Sequence, residues 1–174
     1  MKNENTHIAY GLVTGIVLVI ISLTLHLTGA IYSDKTRWVA WMADVPFLVG
    51  IILNGMAFAK AKENYVTFGN IYWSCFRMSI IVALLMVFWA IIELIFMPEI
   101  KEKAMQMAAE TLQKKNLPED QVETGMAMGK KFYAIGLLIG TIFGTLLTGA
   151  VCSLIGALIP KKKGERPFQL DTLK

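Results

Sequence analysis

Five side chains with acid, base or hydrogen-bonding chemistry stand inside or at the edge of apolar runs: His26, Asp44, Asn54, Arg77 and Glu93. An ionisable group within the hydrocarbon core of a membrane is costly and is a functional candidate by default. Asp44 stands two residues before Pro46, and proline is tolerated in the first turn of a helix. It therefore reads as an N-cap, with the membrane helix proper starting at Val45. Glu93 lies five residues before Pro98, about 7 Å from the end of its helix, where water or a basic partner such as Lys130 or Lys131 can reach it. Arg77 is two turns into its span, and its long stem can snorkel toward phosphates at the surface. His26 and Asn54 read as interhelical hydrogen-bonding residues.

A second use of the same residues is a path for ions. Asp44 and Glu93 are expected at similar depth near one face and Arg77 toward the other, so two acids could form a cation-accessible vestibule. Against a path, the centres of the third and fourth spans offer mainly Leu, Ile, Val and Met beside glycines. No pair of interrupted half-helices builds a midplane site.

Enzyme chemistry finds less support. The chain has two histidines, His7 and His26, and no H-E-x-x-H, G-x-S-x-G, phosphate-binding glycine loop or C-x-x-C. No catalytic, cofactor or metal residues are expected, and the chain is expected not to be an enzyme. Cys75 and Cys152 are too few for a disulfide framework and read as buried packing residues. Nucleic acid is not an expected partner, because the terminal lysines read better as a flank attracted to anionic lipid.

The elements that must hold these residues are membrane helices. Of 174 residues, 55% are hydrophobic and 17% charged, where a soluble domain holds ~25% charged residues. The apolar excess is gathered into blocks, and a span needs about 20 such residues. Four spans follow, at about 8–31, 38–61, 70–97 and 130–159, in an all-α integral membrane bundle. The second reaches a spanning length only if 38–43 extends it. The first resembles a signal peptide in having Lys2 before an apolar run and Thr28-Gly29-Ala30 after it. It exceeds the ~7 to 15 residues of a signal h-region and is expected to be an uncleaved anchor.

Between the third and fourth spans, 98–129 forms an extramembrane helical segment. Ile100, Ala104, Met107, Ala108 and Leu112 recur at helical spacing opposite charges. Lys114, Lys115 and Asn116 close this amphipathic helix, and Pro118, Glu119 and Asp120 open a second one expected to run on into the fourth span. The result is a hairpin resting on lipid headgroups or on the bundle. Interfacial aromatics mark the borders, with Tyr10, Tyr72 and Trp73 on one face and Tyr32, Trp38, Trp41, Phe132 and Tyr133 on the other.

An even number of crossings puts both termini on one side. Basic residues outside the spans divide evenly, so counting gives no orientation. The cluster Lys161, Lys162, Lys163 and Arg166 in the basic tail 160–174 directly follows a span, however, whereas Lys35, Arg37, Lys101 and Lys103 stand on a side rich in acids. On that ground both termini are placed in the cytoplasm.

The fourth span carries a stripe at four-residue spacing: Gly136, Gly140, Gly144, Thr148, Cys152 and Gly156. Small residues let membrane helices approach closely, so the stripe reads as a glycine zipper. Gly11 and Gly15 make the first span its expected neighbour, with a homodimer or another membrane protein as the alternative occupant.

Thr67-Phe68-Gly69 before the third span, Pro98 after it, the stretch L-P-E-D-Q-V-E at 117–123 and the terminal lysine cluster follow one another in an order that resembles a bacterial membrane-protein family. That family is catalogued as domain of unknown function 4199. The similarity covers nearly the whole chain and rests on the order of features. It implies a small four-span protein of the bacterial inner membrane, and it transfers no functional residues. The expected role is structural or accessory, within the lipid bilayer and in contact with a membrane partner. The alternative is a small transporter or ion-conducting protein using Asp44, Glu93 and Arg77.

Overall fold

The computed structural model describes residues 5–30, 44–114 and 118–164. Five helices account for almost all of them: α1 (Thr6–Leu27), α2 (Asp44–Ala61), α3 (Phe68–Phe96), α4 (Pro98–Lys114) and α5 (Glu119–Leu158). Among the described residues there is no strand. Helices α1, α2, α3 and α5 are long and apolar enough to cross a membrane.

Helix ends follow local chemistry. The first span stops at Leu27 rather than the expected Ile31, because Gly29 takes φ of 68° and the N–H groups of Thr28 and Gly29 fold back to Thr24 and His26. A left-handed residue after the last turn ends a helix, and glycine adopts it without strain. Helix α2 ends on the same device without glycine. Asn64 N–H donates to Ala59 O (2.8 Å) and Glu63 N–H to Lys60 O (3.0 Å), a Schellman pattern with Glu63 and Asn64 both left-handed. Helix α3 is capped by Thr67, whose hydroxyl accepts the Asn70 N–H at 3.4 Å. Pro98 then starts α4, and Pro118 stands just before α5 with Glu119 and Asp120 in its first turn.

Helix α5 has 40 residues, about 60 Å at 1.5 Å per residue, so the second hairpin helix and the fourth span are one continuous rod. Helix α4 lies against the α5 stretch outside the bundle. Its buried residue is Met105 rather than Ala108, which is exposed. A Cβ on Gly129 would come 3.2 Å from Met105 Cε, and one on Gly125 would come 3.5 Å from Leu112. The hairpin rests on α5 itself.

Helix α3 packs against α1, α2, α4 and α5, while α1 packs on α2 and α3 and α5 packs on α2, α3 and α4. Thus α1 and α5 lie to either side of the α2–α3 pair. The core joins Leu18, Phe47, Ile51, Ile71, Met78 and Val82 with Cys75 and Cys152, both free and buried. Tyr10 and Tyr72 are partly buried against that core, while Trp73 and Phe132 are exposed. Tyr32, Lys35, Arg37, Trp38 and Trp41, the extension 38–43, and Lys2, Lys115, Asn116, Leu117 and Arg166 lie outside the described residues.

This packing corrects the expected partner of the glycine stripe. Gly11 and Gly15 face Ile81 and Leu85 of α3, not α5. At the other end, Gly156 meets Ile51 of α2, and a Cβ on Gly55 would lie 2.9 Å from the Gly156 carbonyl oxygen. Close backbone approach therefore occurs between α2 and α5. A Cβ on Gly136, Gly140 or Gly144 would meet nothing within 4 Å, so the outer half of the stripe has no neighbour among the described residues.

Candidate functional site

Two residues one helical turn apart on α1, Ser22 and His26, face two residues one turn apart on α3, Trp89 and Glu93. His26 is in the last turn of α1 and Glu93 in the last turn of α3, so α1 and α3 run parallel and bring the four groups to one level. Glu93 is buried at 6% exposure. Its Oε1 accepts from Ser22 Oγ at 3.3 Å and lies 3.1 Å from His26 Nδ1. Ser22 Oγ in turn accepts the Trp89 indole N–H at 3.2 Å. Buried polar groups are costly unless hydrogen-bonded, and this chain of donors satisfies the carboxylate.

The expected partners Lys130 and Lys131 do not take that place. Lys130 lines a crevice between α4 and α5, and the Lys131 ammonium lies 5.5 Å from the Phe132 ring centre. The expectation that His26 bonds between helices holds, and its partner is Glu93. Ser22 and Trp89 were not singled out by sequence reasoning. The available signal was the pair of i, i+4 spacings, Ser22/His26 and Trp89/Glu93, which place polar groups on one face of each helix.

The tautomer follows from the contacts. His26 Nδ1 is 2.8 Å from the Ser22 carbonyl oxygen, which can only accept, so Nδ1 carries a proton. A Ser-His-acid triad uses both ring nitrogens, one for the nucleophile and the other for the acid. Here Ser22 Oγ (3.4 Å) and Glu93 Oε1 approach the same nitrogen, and the hydroxyl donates to the carboxylate. The geometry orders a buried acid and does not activate Ser22.

Beside this network opens a cavity of about 280 Å³ whose walls include Ser22, His26, Asp44, Phe47, Met86, Gly144, Thr145 and Thr148. Asp44 is exposed in the first turn of α2, where a carboxylate suits the positive end of the helix dipole. Asp44 and the Glu93 network thus share one face, as their positions along the chain predict. The absence of a side chain at Gly144 leaves part of the space.

Arg77 lies apart from them. It is exposed, its guanidinium carbon is 5.7 Å from the Trp73 ring centre, and it lines a different crevice on the side of the chain termini. Along α3, Arg77 and Met86 are nine residues apart, about 13 Å. Between the two polar regions lie Ile51, Met78 and Val82, each 0% exposed. Asn54, three residues beyond Ile51 on α2 toward the terminal-side crevice, is fully buried, and its side-chain nitrogen donates to Ser74 Oγ across to α3 at 3.4 Å. Among the described residues no three His, Cys, Asp or Glu side chains converge as a metal site would require.

A family model described as Protein of unknown function (DUF4199) matches residues 9–162. No curated protein and no solved structure matches the chain.

Proposed function

The chain belongs to this family of unknown function, and from its geometry we propose that it is a non-enzymatic accessory protein of the bacterial inner membrane that acts by contact with another membrane helix. Both termini are assigned to the cytoplasm in this reading. The observation that carries it is the outer half of the α5 stripe. Gly136 and Gly140 are exposed and have no neighbour within reach among the described residues, although small residues on a membrane helix serve close helix approach. A second copy of the chain is the simplest occupant, through the same stripe. Cysteine placed at Gly140 tests this: Gly140→Cys should give a disulfide-linked dimer in native membranes, and Gly140→Leu should abolish the dimer while leaving the monomer folded. If Gly140→Cys crosslinks neither to itself nor to any other membrane protein, the contact reading loses its basis.

A second reading, transport, is favoured by one observation: Asp44, Ser22 and His26 share a cavity. The apolar layer of Ile51, Met78 and Val82 separates that cavity from Arg77, which weighs for the accessory role. Flux in proteoliposomes decides between them. A flux abolished by Asp44→Asn and Glu93→Gln would establish transport, whereas absence of flux or insensitivity to both substitutions leaves the accessory role.

A further inference from the structure

The crevice on the terminal side has a chemistry of its own, separate from both readings above. It encloses about 420 Å³, within the ~300–1,000 Å³ of ordinary ligand pockets. Two elements supply its cations, Lys62 from the turn after α2 and Arg77 from α3, and His7 from the first turn of α1 adds an imidazole. Among the described residues that line it, none is acidic. Asn70 and Tyr65 add hydrogen-bonding groups, and Asn70 lies in the first turn of α3, at the positive end of the helix dipole. Its apolar lining is Phe58, Val66 and Trp73, the last 51% exposed and one turn from Arg77 on α3.

The walls are also held in place. Arg77 is braced over Trp73. The turn that carries Lys62 and Tyr65 is fixed by the Schellman hydrogen bonds and by the Lys163 N–H, which donates to Asn64 O at 2.7 Å. The Lys163 ammonium lies 5.2 Å from the Tyr65 ring centre and brings another cation to the rim.

We propose that this crevice binds a phosphate-bearing anionic group, with Arg77 as its forked donor and Lys62 and His7 as flanking contacts. A planar guanidinium meets phosphate through two parallel N–H···O bonds, and an ammonium meets it as a point charge. A polar pocket with an apolar wall at the membrane surface suits the headgroup of an acidic phospholipid. A soluble phosphate carries the same recognised chemistry.

The test uses the full chain, purified and placed in nanodiscs or detergent. Phosphatidylglycerol should bind at least about tenfold more tightly than phosphatidylcholine. Arg77→Gln should remove about tenfold of that affinity, Lys62→Gln somewhat less, and Arg77→Lys should fall between wild type and Arg77→Gln. Lys101→Gln, on the α4 hairpin, should change nothing. Inorganic phosphate separates the sources: displacement of phosphatidylglycerol at millimolar phosphate assigns a soluble phosphate ligand, and failure to displace it assigns the lipid. If phosphatidylglycerol and phosphatidylcholine bind wild type equally, or Arg77→Gln and Lys62→Gln both keep wild-type affinity, the proposal is overturned. Should Arg77→Gln fail to fold, the lipid ratio on wild type and the Lys62→Gln variant decide it.

Discussion

His26 Nδ1 and Glu93 Oε1 stand 3.1 Å apart and tie the last turn of α1 to the last turn of α3. Their side chains are 13% and 8% exposed, so neither can exchange its partner for bulk water at no cost. Removing one partner takes a hydrogen bond from the buried group that remains, whereas removing both does not. His26→Leu leaves Glu93 with Ser22 as its remaining described donor and should cost about 1–3 kcal/mol. Glu93→Leu should cost a similar amount. The double variant should be less destabilised than the sum, because no buried charge remains unpaired. Denaturant unfolding of the four proteins in one detergent gives the cycle, and strict additivity would show that the pair is not coupled.

The turn after α2 carries two non-glycine residues at positive φ, Glu63 at 55° and Asn64 at 65°. A left-handed backbone costs an ordinary L-residue about 1–2 kcal/mol, and asparagine tolerates it best. Asn64→Val should therefore lower stability by about that amount, while Asn64→Gly should be nearly neutral. Both keep the Asn64 carbonyl that accepts from Lys163, so a loss confined to the valine variant isolates the backbone term. Equal thermal midpoints for the two would contradict the strain.

Glycines separate into two kinds by what surrounds them. A Cβ on Gly55 would press on the Gly156 carbonyl oxygen at 2.9 Å, and backbone cannot swing aside as a side chain can. Gly55→Ala should cost about 1–3 kcal/mol. Gly136→Ala meets nothing within 4 Å and should leave folding yield unchanged. Parallel expression and size-exclusion profiles of the two variants read the difference directly, and equal losses would show that the facing backbone at Gly55 does not set the cost.

These glycines also show where sequence reasoning stops. A four-residue spacing brings residues toward one helix face, and of the stripe on α5 Cys152 and Gly156 are buried while Gly136, Gly140 and Gly144 meet nothing within 4 Å among the described residues. It does not say which helix occupies that face, because the choice depends on how four spans arrange in the membrane plane. Spacing alone suggests α5 as the neighbour of Gly11 and Gly15 for that reason, and the fold gives them to Ile81 and Leu85 of α3. The spans themselves were legible, since about 20 apolar residues leave few other structures in water or lipid. The early stop of α1 at Leu27 was harder to read, because a glycine inside an apolar run signals either packing or a left-handed end. The site was half legible: Glu93, His26 and Asp44 stood out by charge, but Ser22 and Trp89 look like ordinary span residues until the parallel pairing of α1 and α3 brings them to the carboxylate.

The apolar layer between the two polar regions predicts one-sided access from each face. Thr145 lines the cavity with Asp44 and His26, and Lys62 lines the opposite crevice with Arg77. The native thiols of Cys75 and Cys152 are 0% and 8% exposed, so they should react slowly and leave a low background. In oriented vesicles, a membrane-impermeant maleimide should label Thr145→Cys from one side and Lys62→Cys from the other. Val82→Ser, which puts a hydroxyl into the layer, should cost stability because it buries a polar group in an apolar setting, and the labelling should stay one-sided. Labelling of both single cysteines from the same side would mean that Ile51, Met78 and Val82 do not form a barrier, and it would return Asp44, Glu93 and Arg77 to a single path.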